Sequence, residues 1–511
     1  MTDLEVYALI IIALAICFAN WRVGVLVCVA IGFLQDPVRK VMPGEPVFFT
    51  ALVGAPLVIT LLGAHVRKVR ISFRPINSWN NVLRTPLTLF IFLVLIQSIA
   101  AGIKTGNPMV AGIGALSYLA PLPAVLLGYQ FSRSGREIVK VARSYLLGAI
   151  LMTSGVYLAY AGYDWKILKQ VGEGLFIYSQ ERGRLDLFSG FFRSPEIAAW
   201  HAATAVCLLV LLSLAVRRNT TLKLGAGALV VFLLGAILLT GRRKFLVEIF
   251  LFALIYFLLL IWFRRTAIKS AFLFRSAVVL ASGLAFGAVI YMYAATDQNE
   301  TEIRPYYERG VSVRNDVTER VSVMTLESFQ YVIEQNGLLG SGAGTGSQGV
   351  QHFGGTTTGA SAEGGLAKVL AELGIPGLLL LLWVTVSLAR YMWSIIRYIT
   401  DLKDVDPSLA KLIFGLVAFL LTNGFVYVIA HQVFGDPFIL IILGFFTGFI
   451  VAMPKMLRRK EQRSEVRSQR SEVRSQRSEV RSQKSEGREK HFPTSDLGSP
   501  TSDLRPATSD F

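Results

Sequence analysis

Charge and cysteine are both scarce in this chain. Of its 511 residues only 17% are Asp, Glu, Lys or Arg, and three are cysteine. The shortage of charge excludes an ordinary soluble domain, which has to cover its core with polar side chains. The three cysteines, Cys17, Cys28 and Cys207, lie in apolar runs. They read as helix-packing residues, so neither a disulfide framework nor a metal site is expected. The first apolar run, 6–19, lacks a basic flank and a small-residue cleavage site. It is read as a retained helix rather than a signal peptide. The alternation of apolar and polar residues that marks barrel strands is missing as well.

Hydrophobic residues make up 53% of the chain, and the mean hydropathy is +0.53. Apolar runs near spanning length recur, for example at 47–64, 87–103 and 245–263. A hydrocarbon core of about 30 Å takes roughly 20 helical residues, and a span must close its own backbone hydrogen bonds. The expected fold is therefore all-α: a polytopic membrane protein with about 12 to 13 transmembrane helices and a long non-cytoplasmic loop before the last three. Residues 1–453 form the membrane domain, including an exterior loop at 296–365.

The net charge of +17 raises the question of nucleic acid. Its distribution answers it, because the basic residues sit in short loops and in the tail, as cytoplasmic loops do. Arg67, Lys68, Arg70, Arg74 and Arg84 mark one inside loop, and Arg133, Arg136, Lys140 and Arg143 the next. Arg217, Arg218 and Lys223 follow, then Arg264, Arg265, Lys269 and Arg275, then 390–411 and the tail. The intervening segments, 104–107, 163–193, 241–244 and about 296–363, fall outside. The N-terminus is then outside and the C-terminus inside. If the first two short spans do not count separately, the total is 12.

Two exterior segments carry arginine against this rule: Arg193, and the pair Arg242 and Arg243. Either they snorkel to anchor helix ends at the headgroups, or they form an anion site, since Arg presents a planar fork suited to phosphate oxygens. The long loop opens with charged residues, among them Arg309, Arg314 and Arg320, and a helical period runs from 316 to 335. Glycine then recurs at close spacing over 337–347 (Gly-Leu-Leu-Gly-Ser-Gly-Ala-Gly-Thr-Gly-Ser). Such a loop is either a hinge or a cradle whose backbone N–H groups approach a phosphate or sugar. No Gly-Lys-Ser/Thr follows, so it is not a Walker loop. His352 and Glu363 come next, and Glu363, Lys368 and Glu372 mark the mouth of the following span. A carboxylate there either caps the helix or acts as general base towards a sugar hydroxyl.

Beyond residue 454 the composition changes. Arg-Ser-Glu-Val-Arg-Ser-Gln repeats with a period of seven from Arg463, and Thr-Ser-Asp-Leu recurs at Thr494 and Thr501. One valine per heptad is too little for a coiled-coil seam. Residues 454–511 are read as a cytoplasmic, low-complexity, disordered tail, its basic start near anionic lipid.

Four segments together resemble the O-antigen ligase and polymerase superfamily. They are Gly190-Phe-Phe-Arg-Ser-Pro-Glu-Ile-Ala-Ala199, the Arg242-Arg243-Lys244 turn, the loop from Gly337 to Thr345, and Leu370-Ala-Glu-Leu-Gly-Ile-Pro-Gly377. The resemblance implies a metal-independent glycosyl transfer enzyme in the bacterial inner (cytoplasmic) membrane, working on its outer, periplasmic face without a cofactor. Such an enzyme takes a glycan from an undecaprenyl pyrophosphate carrier and joins it to an acceptor glycan, in O-antigen or exopolysaccharide synthesis. The implied partners are the lipid-linked oligosaccharide, the acceptor glycan, membrane lipid and a chain-length regulator protein, with no nucleic acid. The implied pyrophosphate or glycan ligands are Arg193, Arg242 and Arg243, with Arg309, Arg314 or Arg320 from the loop. Fixed cations aimed at a dianionic leaving group stabilise its developing charge. Ligases of the superfamily carry a His-Asn pair ahead of this last motif, and aligned on Glu372 and Gly374 that place holds Glu363 and Gly364. The catalytic base is then Glu363 or His352, and the departure favours a polymerase over a lipid A-core ligase. A transporter or flippase for a lipid-linked or anionic substrate is the alternative.

Overall fold

The apolar runs fold as helices because nothing in a bilayer can take up an unpaired backbone N–H or C=O. The computed structural model describes residues 3–69, 81–171, 176–179, 183–215, 220–263, 328–346, 364–402, 406–429 and 431–457, and within the tail 469, 472–473 and 475–479. The chain divides into two units, Met1–Met456 and Leu457–Phe511. In the second, the described residues 475–479 are helical.

The first unit is an all-α membrane bundle with one short hairpin. Its helices are α1 (Asp3–Ala19), α2 (Trp21–Val41), α3 (Gly54–Val66), α4 (Asn81–Thr105), α5 (Pro108–Leu119), α6 (Pro121–Phe131) and α7 (Gly135–Tyr160). The hairpin, β1 (Phe176–Ser179) and β2 (Gly183–Asp186), is antiparallel. Then come α8 (Pro195–Ala215), α9 (Thr220–Leu239), α10 (Lys244–Phe263), α11 (Ser328–Asn336), α12 (Gly365–Asp401), α13 (Pro407–Ile429) and α14 (Pro437–Val451). Among the described residues eight helical stretches are long and apolar enough to cross a membrane, with α5 and α6 forming one of them. Four shorter apolar helices, 4–19, 54–66, 224–239 and 437–451, accompany them. The further span expected after Arg275 lies outside the described residues, as does most of the helical period from 316, of which α11 is the described end.

Where the apolar side chains point confirms a membrane bundle. On α4, Leu89, Phe92, Ile96, Ile99 and Ile103 are all exposed. Their spacing of three and four puts them on one outward stripe, the reverse of a soluble helix. Tyr163 and Trp165 are exposed at one end of the bundle, Trp262 and Trp393 at the other, as interfacial aromatics are. The core is built round α8, almost wholly buried against its neighbours α7, α9, α10 and α13. The three cysteines are buried in α1, α2 and α8.

Hydrogen bonds sort the loops onto two ends. At one, Arg22 pairs with Glu137 at 2.6 Å and Lys455 reaches Gln130 at 3.3 Å. At the other, Lys166 donates to the carbonyl of Val41 at 2.7 Å, and 36–40, 187–196, 240–244 and 431–436 come together. This is the grouping that the alternation of basic loops gives.

Candidate functional site

The second end holds the arginines singled out from the sequence. Between β2 and α8 the chain runs as a strap, residues 187–194, laid flat on the bundle. Gly190 makes that approach feasible: its φ is +58°, and a Cβ there would collide with the backbone of Gly155 and Val156 in α7. Phe192 stacks on His201 of α8, ring centroids 5.0 Å apart and nearly parallel, and Phe33 and Phe438 close round the same imidazole. Tyr145 hydroxyl and His201 Nδ1 are 2.7 Å apart, so the ring is held as well as stacked.

Side chains of α2 fasten the strap. The ammonium of Lys40, fully buried, donates to the carbonyls of Gly190 and Phe192, each at 2.7 Å. Asp36 accepts the backbone N–H of Arg193 at 3.0 Å through Oδ2 and its guanidinium at 3.1 Å through Oδ1. The same guanidinium nitrogen lies 2.6 Å from Oδ2 of Asp436. Asp436 is the N-cap of α14, its Oδ1 accepting Phe438 N at 2.7 Å and Ile439 N at 3.2 Å. Burial alone would push the Arg193 guanidinium down from its usual range. The carboxylates of Asp436 and Asp36 outweigh burial and raise it, so it stays charged.

The second arginine segment packs on the first. The turn 240–243 reverses the chain between α9 and α10 with Gly241 at φ +64°. Phe188 N donates to Leu239 O at 3.4 Å, and a Cβ on Gly241 would run into Leu187. Lys244 forms an ion pair with Glu196 at the start of α8 and lies 3.4 Å from Oε1 of Gln432. Arg242 and Arg243 are half-buried on this turn, and burial pushes the Arg242 guanidinium down. Arg193 and the Arg242-Arg243 pair, 49 positions apart in the chain, therefore ride on two segments in direct contact.

The glycine-rich loop is neither the hinge nor the cradle that its composition admits. Its N–H groups are engaged inside the fold: Ser341 N to Ala371 O at 2.8 Å, Gly342 N to Glu372 O at 3.0 Å, Ala343 N to Gln97 O at 3.2 Å, and Gly346 N to Glu372 Oε1 at 3.1 Å. Gly340, Gly342 and Gly344 all have positive φ, and none has room for a Cβ. The loop is wedged between α4, α5 and α12. Gln97 lies about 12 Å along α4 from its end, so non-helical backbone enters the bundle only where protein surrounds it. α12 breaks to admit the wedge. Gly374 takes φ +68°, ψ −170°, and Ile375 N turns to Leu338 O at 2.9 Å. Glu372, at the break and fully buried, accepts Tyr118 hydroxyl at 2.7 Å as well as Gly346 N. Its carboxylate holds the wedge and is not a first-turn cap.

His352 and Glu363, the two candidate bases, and Arg309, Arg314 and Arg320 lie outside the described residues. Sequence reasoning missed Asp36, Arg39, Lys40, Glu196 and Asp436, which surround the arginines it found. A signal was present in α2, where a span ends in Gln35-Asp36-Pro37-Val38-Arg39-Lys40, charges that must be paired at that depth. For Asp436 the only local sign is Asp before Pro at a helix start, which reads as a cap. Among the described residues no group of three or more His, Cys, Asp or Glu is placed to hold a metal ion. The chain matches no protein-family model and no curated protein.

Proposed function

We propose that the chain is a membrane enzyme that transfers or polymerises glycan units carried on an undecaprenyl pyrophosphate. The convergence of the strap and the Arg242-Arg243 turn at one end of the bundle carries this reading. Arginines held at the membrane boundary, on the side where the positive-inside pattern predicts few, suit a lipid-borne dianion. A pyrophosphate leaving group needs its charge met as the glycosidic bond breaks. Cations fixed beforehand do so without reorganisation, which is where electrostatic catalysis gains most. Arg242 and Arg243 are assigned that contact, with Arg309, Arg314 or Arg320 joining from the exterior loop. Glu363 or His352 would take the proton of the acceptor hydroxyl. The outer face of the inner membrane is the compartment this chemistry requires, with the acceptor glycan and a chain-length regulator as partners.

One observation favours a transporter of the same lipid-linked substrate. α12 is discontinuous at Gly374, and broken helices line transport sites. Such folds break helices in matching halves, and among the described residues α12 alone shows a break of this kind.

Glycan output separates the two. Cells lacking the gene would be complemented with wild type, Arg242→Ala, Arg243→Ala, Glu363→Gln or His352→Ala, at matched membrane levels. The enzyme predicts loss of long-chain polysaccharide in the arginine variants and in one of the two base variants, with single lipid-linked units accumulating on the outer face. Units trapped on the cytoplasmic face would instead establish transport. Normal polymer from every variant would rule out both assignments.

A further inference from the structure

The resemblance gives Arg193 the same task as Arg242, binding the pyrophosphate, yet its surroundings differ from those of a ligand site. Its guanidinium lies against two carboxylates whose side chains are 4% and 1% exposed, while it is itself only 16% exposed. Asp36 grips the residue twice, by backbone and by side chain. Asp436 commits one oxygen to the N-cap of α14 and turns the other to Arg193. A dianion reaching this guanidinium would come up against both carboxylates at the same contact distance, and like charges there repel strongly. If Arg193 turned away to meet it, two buried carboxylates would lose their counter-ion.

We propose that Arg193 is the internal counter-ion of a charge lock joining α2, the strap and α14, and positions the Arg242-Arg243 turn rather than touching substrate. Asp36 and Lys40 stand four residues apart, on one face of α2. Lys40 takes the carbonyls at 190 and 192, and Asp36 takes residue 193. Those two side chains hold three residues within the stretch 190–193, and Asp436 ties the same point to α14. The strap in turn backs the turn, through Phe188 to Leu239 and Leu187 under Gly241, and Glu196 at the start of α8 adds its ion pair with Lys244. Other charged or titratable groups near the lock are Arg39 in the last turn of α2, Glu45 beyond it, with Arg39 Nε donating to Glu45 O at 3.1 Å, and His201 beneath the strap.

A lock and a ligand differ in what neutralising the whole cluster does. If Arg193 serves the carboxylates, removing all three charges together removes the need for it, and Asn still caps α14. The experiment compares full-length wild type, Arg193→Gln, the triple variant Asp36→Asn/Arg193→Gln/Asp436→Asn, and Arg242→Ala, purified in detergent. Melting temperature and affinity for farnesyl pyrophosphate, a short soluble polyprenyl pyrophosphate, are measured on each. The single Arg193 variant is expected to lose much of its thermal stability and the triple variant to regain most of it. The triple variant should bind the probe within about threefold of wild type, whereas Arg242→Ala weakens binding roughly tenfold, the loss of one charge-assisted contact. A triple variant that is folded yet loses the probe as Arg242→Ala does would make Arg193 a ligand and overturn the lock. A triple variant no more stable than the single one would overturn it too. The affinity arm rests on the pyrophosphate reading. If wild type binds no probe, that reading falls, and the thermal comparison still decides the lock.

Discussion

Two segments of this protein look like anion sites in sequence, the arginine-bearing strap and the glycine-rich loop at 337–346, and the fold treats them in opposite ways. In the loop the backbone N–H groups face inward, onto Ala371, Glu372 and Gln97, so the glycines there serve close packing. In the strap the carbonyls are what the fold takes up, by Lys40, and charged side chains gather around it. A row of glycines thus says only that backbone approaches something closely; what decides its role is where each donor goes. An arginine poses the matching question, which is how many carboxylates it already faces. Arg193 faces two.

The comparison breaks most sharply at Lys40. Its ammonium is fully buried and holds two strap carbonyls, whereas no side chain of comparable charge anchors the loop through its carbonyls among the described residues. Lys40→Met leaves Gly190 O and Phe192 O buried without a donor, at about 1 to 3 kcal/mol for each unsatisfied group. The expected loss is about 2 to 4 kcal/mol, since removing a buried ammonium returns part of the cost. Thermal unfolding in detergent checks it; a wild-type melting temperature would mean that the strap is held without α2.

Glycine substitution sharpens the loop side. Gly344 has φ +94°, and a Cβ there would meet Val110 O and the backbone of Gly114. Gly337 has φ +72° but nothing within reach of a Cβ. Gly344→Ala therefore combines backbone strain with overpacking and should cost about 2 to 4 kcal/mol, against about 1 kcal/mol for Gly337→Ala, where strain acts alone. Equal losses at the two positions would refute the wedge, because only a packed loop tells them apart.

The legibility of this fold follows the range of the forces that make it. Spans were readable because a bilayer imposes length and apolarity on each one separately; 87–103 falls inside α4 and 245–263 inside α10. The run 47–64 is not one helix: it holds a 3-10 turn at Val47–Ala51, preceded by Pro46, and then the short α3, which carries Pro56 in its first turn. The break in α12 was also missed. Leu-Gly-Ile-Pro-Gly was legible as a motif, but that Gly374 leaves the helix depends on Leu338, 36 positions earlier, taking the N–H of Ile375. At the site the cations were found because each breaks a local charge rule. Their carboxylates were not, because Asp36 and Asp436 lie 400 positions apart and come together at Arg193.

The smallest effect tests which carboxylate is structural. Glu372 stands at the mouth of a span, where a general base was also a reading. It is fully buried, with one oxygen on Tyr118 and the other on Gly346 N. Tyr118→Phe removes one neutral-to-charged hydrogen bond and leaves a buried oxygen unmet, a loss of about 1 to 2 kcal/mol. Glu372→Gln keeps one acceptor and should cost about the same. If Glu372 only fastens the wedge, the two changes report on one contact, so the double variant falls short of additivity by most of a single loss. Glycan output should then follow stability in all three variants. A Glu372→Gln protein with wild-type stability and no output would transfer the catalytic role to Glu372, and the wedge would become part of the active site.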